Sequence, residues 1–186
     1  MFSLPYNLYE LKDYNNWVVY RLFENSSNMN KLSKLPFNPI THIPSKTNDK
    51  STWSSYDNCI KALEEHSYDG IGFVFDKNLD YIGIDIDEGV NSLLSNELVP
   101  LFNSYTEYSP SHNGLHIICK YDKDILIGRK NNELKLEIYN YNRFFTITGD
   151  IYLDKKIEYR DSEIDMIVDK YFNNVKSILN EYLEKK

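Results

Sequence analysis

Apolar positions along the chain switch repeatedly between the period of a β-strand and the period of a helix. Runs of β-branched and aromatic residues bounded by turn clusters predict strands. These strands cover 16–23, 70–75, 81–87, 115–121, 134–139 and 144–148. Apolar residues three and four apart predict helices at 54–66, 90–105 and about 162–184. The pattern is therefore that of a mixed α/β protein.

Two local patterns refine this prediction. Five residues, Asp76–Asp80, separate the strands at 70–75 and 81–87, so we expect these strands to form a hairpin. A polar cluster at 25–28 ends the first strand, and the residues at 34–39 are extended because each proline disfavours helix in its predecessor.

The last helix has the longest apolar stripe. Ser162 is its predicted N-cap, with Asp165 three residues further on. The stripe consists of Ile164, Val168, Tyr171, Phe172, Val175, Ile178, Leu179, Tyr182 and Leu183. Such a stripe can face the core or a partner, and we expect it to face the core.

Composition narrows the class of protein. A chain of 186 residues with 41% hydrophobic content indicates one domain, 1–186. Its aromatic content of 15% excludes a generally disordered chain, because such chains lack the apolar area that offsets the entropy lost on ordering. We see neither a long apolar run nor a secretory signal, and so expect a cytoplasmic protein with no membrane contact. The two cysteines, Cys59 and Cys119, form no C-x-x-C pair, and we expect both to be buried. The net charge of −7 argues against a protein that coats nucleic acid without specificity.

Candidate chemistry begins with Asp85-Ile86-Asp87. The strand period of two places both carboxylates on one face, while Ile84 and Ile86 point into the core on the other. Neighbouring carboxylates repel, and a divalent cation such as Mg²⁺ or Mn²⁺ relieves that repulsion. Two solvated acids at a strand end, with Glu88 as a third, are the alternative reading.

A second candidate is His116, which follows the turn-rich segment 109–114 and begins a strand. Its neighbours Leu115 and Ile117 are apolar, so its imidazole faces away from the core. A lone histidine is more often structural than catalytic. A Ser/Asn/Gly turn before it can, however, donate N–H groups to phosphate oxygens.

Further polar positions alternate with apolar ones near the C-terminal end of the core. Glu133, Lys135 and Glu137 form one face of a predicted strand, and Glu137 can complete a three-carboxylate site. Arg143, Thr146 and Thr148 follow, and arginine clamps phosphate well. For each residue taken singly, a solvated strand face is the more common explanation.

Basic residues are concentrated in two stretches of this acidic chain. The first consists of Lys31, Lys34, Lys46 and Lys50, and the second of Lys120, Lys123, Arg129, Lys130 and Lys135. Either stretch can be ordinary surface, or can hold triphosphate and template beside a metal site.

The ordered set of motifs is more specific than its parts. The set is Trp17, Lys34-Leu35-Pro36-Phe37, Thr52-Trp53-Ser54, Gly70-Ile71-Gly72-Phe73-Val74, Gly83-Ile84-Asp85-Ile86-Asp87, Ser109-Pro110-Ser111 through Gly114-Leu115-His116, Leu136-Glu137-Ile138-Tyr139 and Arg143-Phe144-Phe145-Thr146-Ile147-Thr148-Gly149. It resembles the primase-polymerase domain of the archaeo-eukaryotic primase superfamily, in the form carried by plasmids, phages and mobile elements. The resemblance covers about 10–150.

The resemblance implies an α+β core in which an N-terminal α/β unit packs on an RRM-like unit, followed here by the C-terminal helix. It implies a DNA primase or polymerase that works by two-metal nucleotidyl transfer with Mg²⁺ or Mn²⁺. Asp85, Asp87 and Glu137 match its metal ligands, and His116 matches its phosphate-binding histidine. The residues expected to orient the nucleotide, together with His116, are Lys34, Ser111, Asn113, Lys135, Arg143 and Thr146. Gly114 and Glu137 replace a serine and an aspartate of many members.

The partners implied are a single-stranded DNA template, NTP or dNTP, and a replicative helicase in cis or in trans; we expect a monomer. A different class of protein is also open, namely an inactive accessory protein that keeps the fold to bind nucleotide or single-stranded DNA. A rolling-circle initiator fits poorly, because His112 and His116 are four residues apart rather than two. A metal-dependent nuclease would not need the histidine or the Thr-Ile-Thr-Gly context.

Overall fold

The computed structural model describes residues 2–25, 28–87 and 89–173. Its strands are β1 (Trp17–Asn25), β2 (Asn28–Phe37), β3 (Gly70–Phe75), β4 (Tyr81–Ile86), β5 (Thr106–Tyr108), β6 (Leu115–Lys120), β7 (Gly128–Asn131), β8 (Leu136–Tyr139), β9 (Arg143–Ile147) and β10 (Ile151–Leu153). Its α-helices are α1 (Tyr56–Glu65), α2 (Leu93–Phe102) and α3 (Asp161–Val168). Short 3₁₀ helices cover Tyr6–Asp13 and Lys50–Thr52, and a π-helical turn, Asp169–Asn173, continues α3.

The strands form two antiparallel sheets. The first sheet has the order β2-β1-β3-β9, and the second has the order β10-β5-β6-β4-β8-β7. The first sheet therefore combines strands from the start of the chain with β9, which comes much later. The mixed α+β architecture predicted from the sequence is confirmed. Within the described ranges, no helix has the length and apolar character of a membrane span.

The predicted hairpin between β3 and β4 is wrong. β3 pairs with β1 and β9 in the first sheet, whereas β4 pairs with β6 and β8 in the second. Both edges of each strand are thus already occupied. The connecting turn, stabilised by hydrogen bonds from Leu79 and Asn78 to Asp76, carries the chain from one sheet to the other.

Several element boundaries also differ from the predictions, three of them for reasons that the local structure shows. Helix α2 is shorter than 90–105, because Ser92 caps its start and Asn103, in the left-handed region, ends it. Helix α3 begins at Asp161 with Arg160 as N-cap, so Ser162 lies inside the helix. Strand β8 begins at Leu136 because Lys135 has a positive φ of 52°.

The sequence also failed to predict three short strands, β5, β7 and β10, and of β2 it predicted only the extended residues from Lys34 onward. The part of the C-terminal stripe beyond Asn173, like Glu88, lies outside the described residues.

Two apolar cores lie on opposite faces of the second sheet. Between the sheets, residues of the first sheet and α1 pack with Tyr81 and Ile118 of the second sheet and with Tyr105, which precedes β5. On the far face, α2 and α3 cover the second core. Its sheet residues are Ile82, Ile84, Ile86, Leu115, Ile117, Cys119, Leu136 and Ile138. The alternation of side chains along a strand therefore sends the residues between these positions toward the first sheet.

At Gly83 the two sheets approach each other closely. A Cβ atom at this position would lie 2.5 Å from Cε2 of both Phe75 and Phe145, so only glycine allows these rings to pack on the β4 backbone. The two rings also contact each other edge to face, with centroids 5.0 Å apart. This packing closes the space between the sheets two residues before Asp85, where the space opens into a cleft.

Candidate active site

One row of polar residues crosses five strands of the second sheet. Asp85 on β4 lies directly opposite His116 on β6 and Glu137 on β8. The row continues to Glu107, opposite His116, and to Lys130, opposite Glu137. All five side chains share the face that looks toward the first sheet, because directly opposite residues in a sheet point the same way.

Asp85 is the least satisfied member of the row. Its Oδ1 atom is buried and has no hydrogen-bond partner among the residues that the structure describes. Burial raises the pKa of the Asp85 carboxyl, and the nearby Asp87 and Glu137 carboxylates raise it further, while His116 and Lys34 oppose the rise. Asp87 follows on the same face, one residue beyond the end of β4, where its backbone N–H donates to the Lys135 carbonyl at 2.9 Å. Two neighbouring acids thus share a site in which negative charge is poorly compensated.

His116 lies between two carboxylates. Its Nδ1 atom is 3.1 Å from the Thr146 carbonyl oxygen and 3.7 Å from Glu107 Oε1, while its Nε2 atom is 3.8 Å from Asp85 Oδ1. The carbonyl can only accept, so we assign the proton to Nδ1 in the neutral ring. Although His116 faces away from the second core, as predicted, it is only 2% exposed because the Phe145 ring packs against it.

Glu137 is held by two cations. The Arg143 guanidinium donates to Glu137 Oε2 at 2.7 Å, and the Lys130 ammonium donates to Oε1. Burial alone would raise the pKa of the Glu137 carboxyl, but the Lys130 hydrogen bond and the Arg143 charge outweigh it, so the pKa is lowered. The same contact raises the pKa of Lys130. In the described residues no group of three or more His, Cys, Asp or Glu side chains is arranged to hold a metal ion. The position of Glu137 as a third ligand stays a prediction.

The cleft between the sheets has two lobes that share Lys34, Asp87, His116, Lys130 and Glu137. The first lobe, of about 770 Å³, is further lined by Asp85, Arg143, Thr146 and the loop at 45–48. The second lobe, of about 630 Å³, is further lined by Ser111, Asn113 and Lys135. The residues predicted to orient one nucleotide are thus all in the cleft but divide between its lobes.

Only some of the residues in the two basic stretches line the cleft. Of the first stretch, Lys34 and Lys46 line the first lobe, whereas Lys50 pairs with Asp76. Of the second stretch, Lys130 and Lys135 line the cleft. The others lie elsewhere: Lys120 pairs with Glu10, Lys123 pairs with Asp165, and Arg129 is exposed. The structure thus places part of each basic stretch beside the acidic row.

Several residues of the cleft were absent from the predicted site. Lys46 and Lys130 were visible only as members of the basic stretches, because their positions depend on folding. Thr146, which was predicted, has a buried Oγ1 with no hydrogen-bond partner in the described part of the chain, so a second unsatisfied polar atom lines the first lobe. Glu107, a member of the row, was not marked by any pattern in the sequence, because its strand of three residues is too short to show periodicity.

Carboxylates, a histidine and cations that face one cleft of an antiparallel α+β fold agree with the primase-polymerase resemblance of the sequence. No model of a known protein family matches the chain. The chain is 28% identical over 151 residues to a DNA primase-polymerase of the Nitratiruptor phage NrS-1. The match covers 76% of this chain and 20% of that protein, so the chain spans about a fifth of its relative's length. The resemblance to primase-polymerases of the phage and mobile-element type is thereby confirmed.

Proposed function

We propose that the chain is a nucleotidyltransferase that adds nucleotides to a 3′-hydroxyl on a DNA template, as a primase, a polymerase or both, in the replication of a phage, plasmid or mobile element. The observation that carries this proposal is the register of the second sheet. It sets Asp85 directly opposite both His116 and Glu137 in a cleft lined by lysine and arginine. The similarity to a phage primase-polymerase supports the same reading.

We assign the first lobe to the triphosphate of the incoming nucleotide. Lys34, Lys46 and Arg143 line it, and their charges match the negative charge of a triphosphate. With Nδ1 bonded to the Thr146 carbonyl, the His116 ring in its imidazolium form would donate from Nε2 to a phosphate oxygen. Thr146 Oγ1 offers a further unsatisfied hydroxyl there. These groups would bind the triphosphate and fix its orientation relative to Asp85 and Asp87, the acidic pair.

The acidic pair fits a divalent cation. The buried, unpartnered Oδ1 of Asp85 beside a second carboxylate is an arrangement that a cation would complete, and hard oxygen ligands suit Mg²⁺ or Mn²⁺. Bound cations would activate the attacking 3′-hydroxyl and stabilise the departing pyrophosphate. Glu137 would join Asp85 and Asp87 as a ligand if Arg143 and Lys130 turned from its carboxylate to the phosphates.

We assign the second lobe to the nucleotide that carries the 3′-hydroxyl. Ser111, Asn113 and Lys135 line it and can bond sugar and phosphate oxygens. The lobe adjoins Asp87, so a hydroxyl bound there would lie beside the acidic pair. A single-stranded DNA template would complete the complex, and a replicative helicase, in cis or in trans, is the protein partner that we propose for it.

The test is nucleotide incorporation on single-stranded DNA, with and without an annealed primer, using labelled NTPs or dNTPs and Mg²⁺ or Mn²⁺. The wild type is compared with Asp85→Ala/Asp87→Ala. The matched control is Asp122→Ala/Asp124→Ala, which removes two exposed acids of the same spacing outside the cleft.

Each outcome has a distinct meaning. Products on unprimed DNA that vanish only in the Asp85/Asp87 variant indicate a primase, and extension of primed DNA alone indicates a polymerase. A folded protein that binds nucleotide or DNA but incorporates nothing with either metal would refute the enzyme and favour the accessory protein.

A further inference from the structure

Glu107 is a buried carboxylate at the edge of the candidate active site. Its side chain is 0% exposed. The Tyr105 hydroxyl donates to Oε2 at 2.9 Å, and the backbone N–H groups of Thr148 and Gly149 donate to Oε1 and Oε2 at 2.8 and 3.0 Å. These three hydrogen bonds offset part of the free-energy cost of burying the carboxylate, but some desolvation cost remains, which suggests a further role for Glu107.

The neighbour of Glu107 across the sheet is His116. The two residues lie directly opposite each other on β5 and β6, and Glu107 Oε1 is 3.7 Å from His116 Nδ1. The hydrogen bonds from Thr148 and Gly149 tie Glu107 to the chain just beyond Thr146, whose carbonyl oxygen accepts the hydrogen bond from Nδ1. Glu107 therefore faces the imidazole ring and also holds the segment to which that ring is bonded.

We propose that Glu107 is a positioning residue that fixes the tautomer and orientation of His116. A negative oxygen and a carbonyl oxygen on the same side of the ring both require a proton on Nδ1, which leaves Nε2 directed into the cleft. This inference rests on the proposed function, because the value of a fixed ring is that, in the imidazolium form, its Nε2–H points to the phosphates of a bound nucleotide.

A purely structural role for Glu107 predicts something different. In that case the carboxylate serves only the two backbone N–H groups and the Tyr105 hydroxyl. Glu107→Gln would then lower stability without changing the protonated nitrogen of His116, and its effect on nucleotide binding would be independent of the histidine.

The first experiment reads the tautomer directly by ¹⁵N–¹H correlation spectra of the imidazole. We expect wild-type His116 to be the Nδ1-protonated tautomer, and Glu107→Gln to shift it toward a mixture with the Nε2-protonated form. Glu10→Gln is the matched control, since Glu10 also accepts from a tyrosine hydroxyl, that of Tyr81, at 3.0 Å but lies away from His116. An Nε2-protonated ring in the wild type overturns the proposal and needs no substitution, and an unchanged ring in Glu107→Gln overturns it as well.

The second experiment is a double-mutant cycle in which calorimetry measures dNTP binding in the presence of Mg²⁺. We expect Glu107→Gln to weaken binding about tenfold when His116 is present and less than about twofold in a His116→Ala background. Equal losses in both backgrounds would show that Glu107 acts without the histidine and would overturn the proposal. A wild type that binds no nucleotide refutes the proposed function instead, and the imidazole spectra then still decide the role of Glu107.

Discussion

The Trp53 indole N–H donates to the Lys46 carbonyl oxygen at 2.7 Å. This bond anchors the loop at 45–48, which lines the first lobe of the cleft, to a side chain packed against Val18 and Val74 of the first sheet. The Thr52 hydroxyl contacts the same carbonyl at 3.2 Å. The wall of the cleft therefore depends on a core residue that does not itself line it.

Replacing that indole should weaken nucleotide binding from a distance. We expect Trp53→Phe to cost about 1–2 kcal/mol of stability through the lost hydrogen bond and to lower dNTP affinity several-fold because the loop is released. Trp17→Phe is the matched control, since the Trp17 indole donates to the Leu11 carbonyl at 2.9 Å, outside the cleft. Urea unfolding and calorimetry would measure both effects. Equal losses of affinity in the two variants would contradict the role of the loop.

Arg143 should contribute directly to triphosphate binding. A charge-assisted hydrogen bond is worth about 1.5–3 kcal/mol, so we expect Arg143→Gln to raise the Kd for dNTP by roughly 10- to 100-fold and Arg143→Lys to raise it less. The same variants in a nucleoside binding assay should show little change, because a nucleoside has no phosphate. Arg129→Gln removes an exposed arginine outside the cleft and should bind as the wild type does. A normal Kd for Arg143→Gln would place the triphosphate elsewhere.

The buried carboxylate of Asp85 should lower the free energy of unfolding at neutral pH in the absence of metal. Burial raises the pKa of its carboxyl above the unfolded value, so its protonation favours the fold at low pH, and this stability is lost as the pH rises through the folded pKa. At neutral pH we therefore expect Asp85→Asn to unfold at a higher temperature than the wild type, by roughly 2–4 °C for each kcal/mol gained. The gain should vanish below about pH 4, where the unfolded carboxyl also becomes neutral.

Thermal unfolding with and without Mn²⁺ checks this prediction. The cation should raise the Tm of the wild type and leave that of Asp85→Asn nearly unchanged. Asp122→Asn, at an exposed acid, should behave as the wild type in both conditions. A metal-free Asp85→Asn protein less stable than the wild type would contradict the prediction.

The two cysteines should be unreactive while the protein is folded. Both are buried, as predicted from the sequence, and burial raises the pKa of the Cys59 and Cys119 thiols. The thiolate is the nucleophile, so a disulfide reagent at pH 8 should label neither thiol in the native state and both in guanidinium. Because the folded pKa exceeds the unfolded value of about 8.5, each thiol stabilises the fold progressively less as the pH rises above that value. A Ser67→Cys variant should react at once through its exposed thiol, and rapid native labelling of Cys119 would refute its burial.

The sequence predicted the structure correctly where a local pattern of apolar residues determines it. It did not predict which strands pair with each other, nor the residues that only this pairing brings into the site. β3 was predicted residue for residue because its six residues form a continuous apolar run, and the strand period alone placed Asp85 and Asp87 on one face. The false hairpin arose because a five-residue spacing does not reveal which sheet each strand joins. Glu107 and Lys130 lie on strands of three and four residues, and only the register of the folded sheet brings them into the row.

The row of Glu107, His116, Asp85, Glu137 and Lys130 also sets where the chain can change in length. Since successive side chains of a strand point to opposite faces, inserting one residue within β4, β6 or β8 would turn the site residues beyond it into the core behind the sheet. Insertions in those parts of the connecting segments that do not line the cleft leave the pairing intact and cost little in loop entropy. Divergence by insertion and deletion should therefore be tolerated there but not within the strands that form the floor of the cleft.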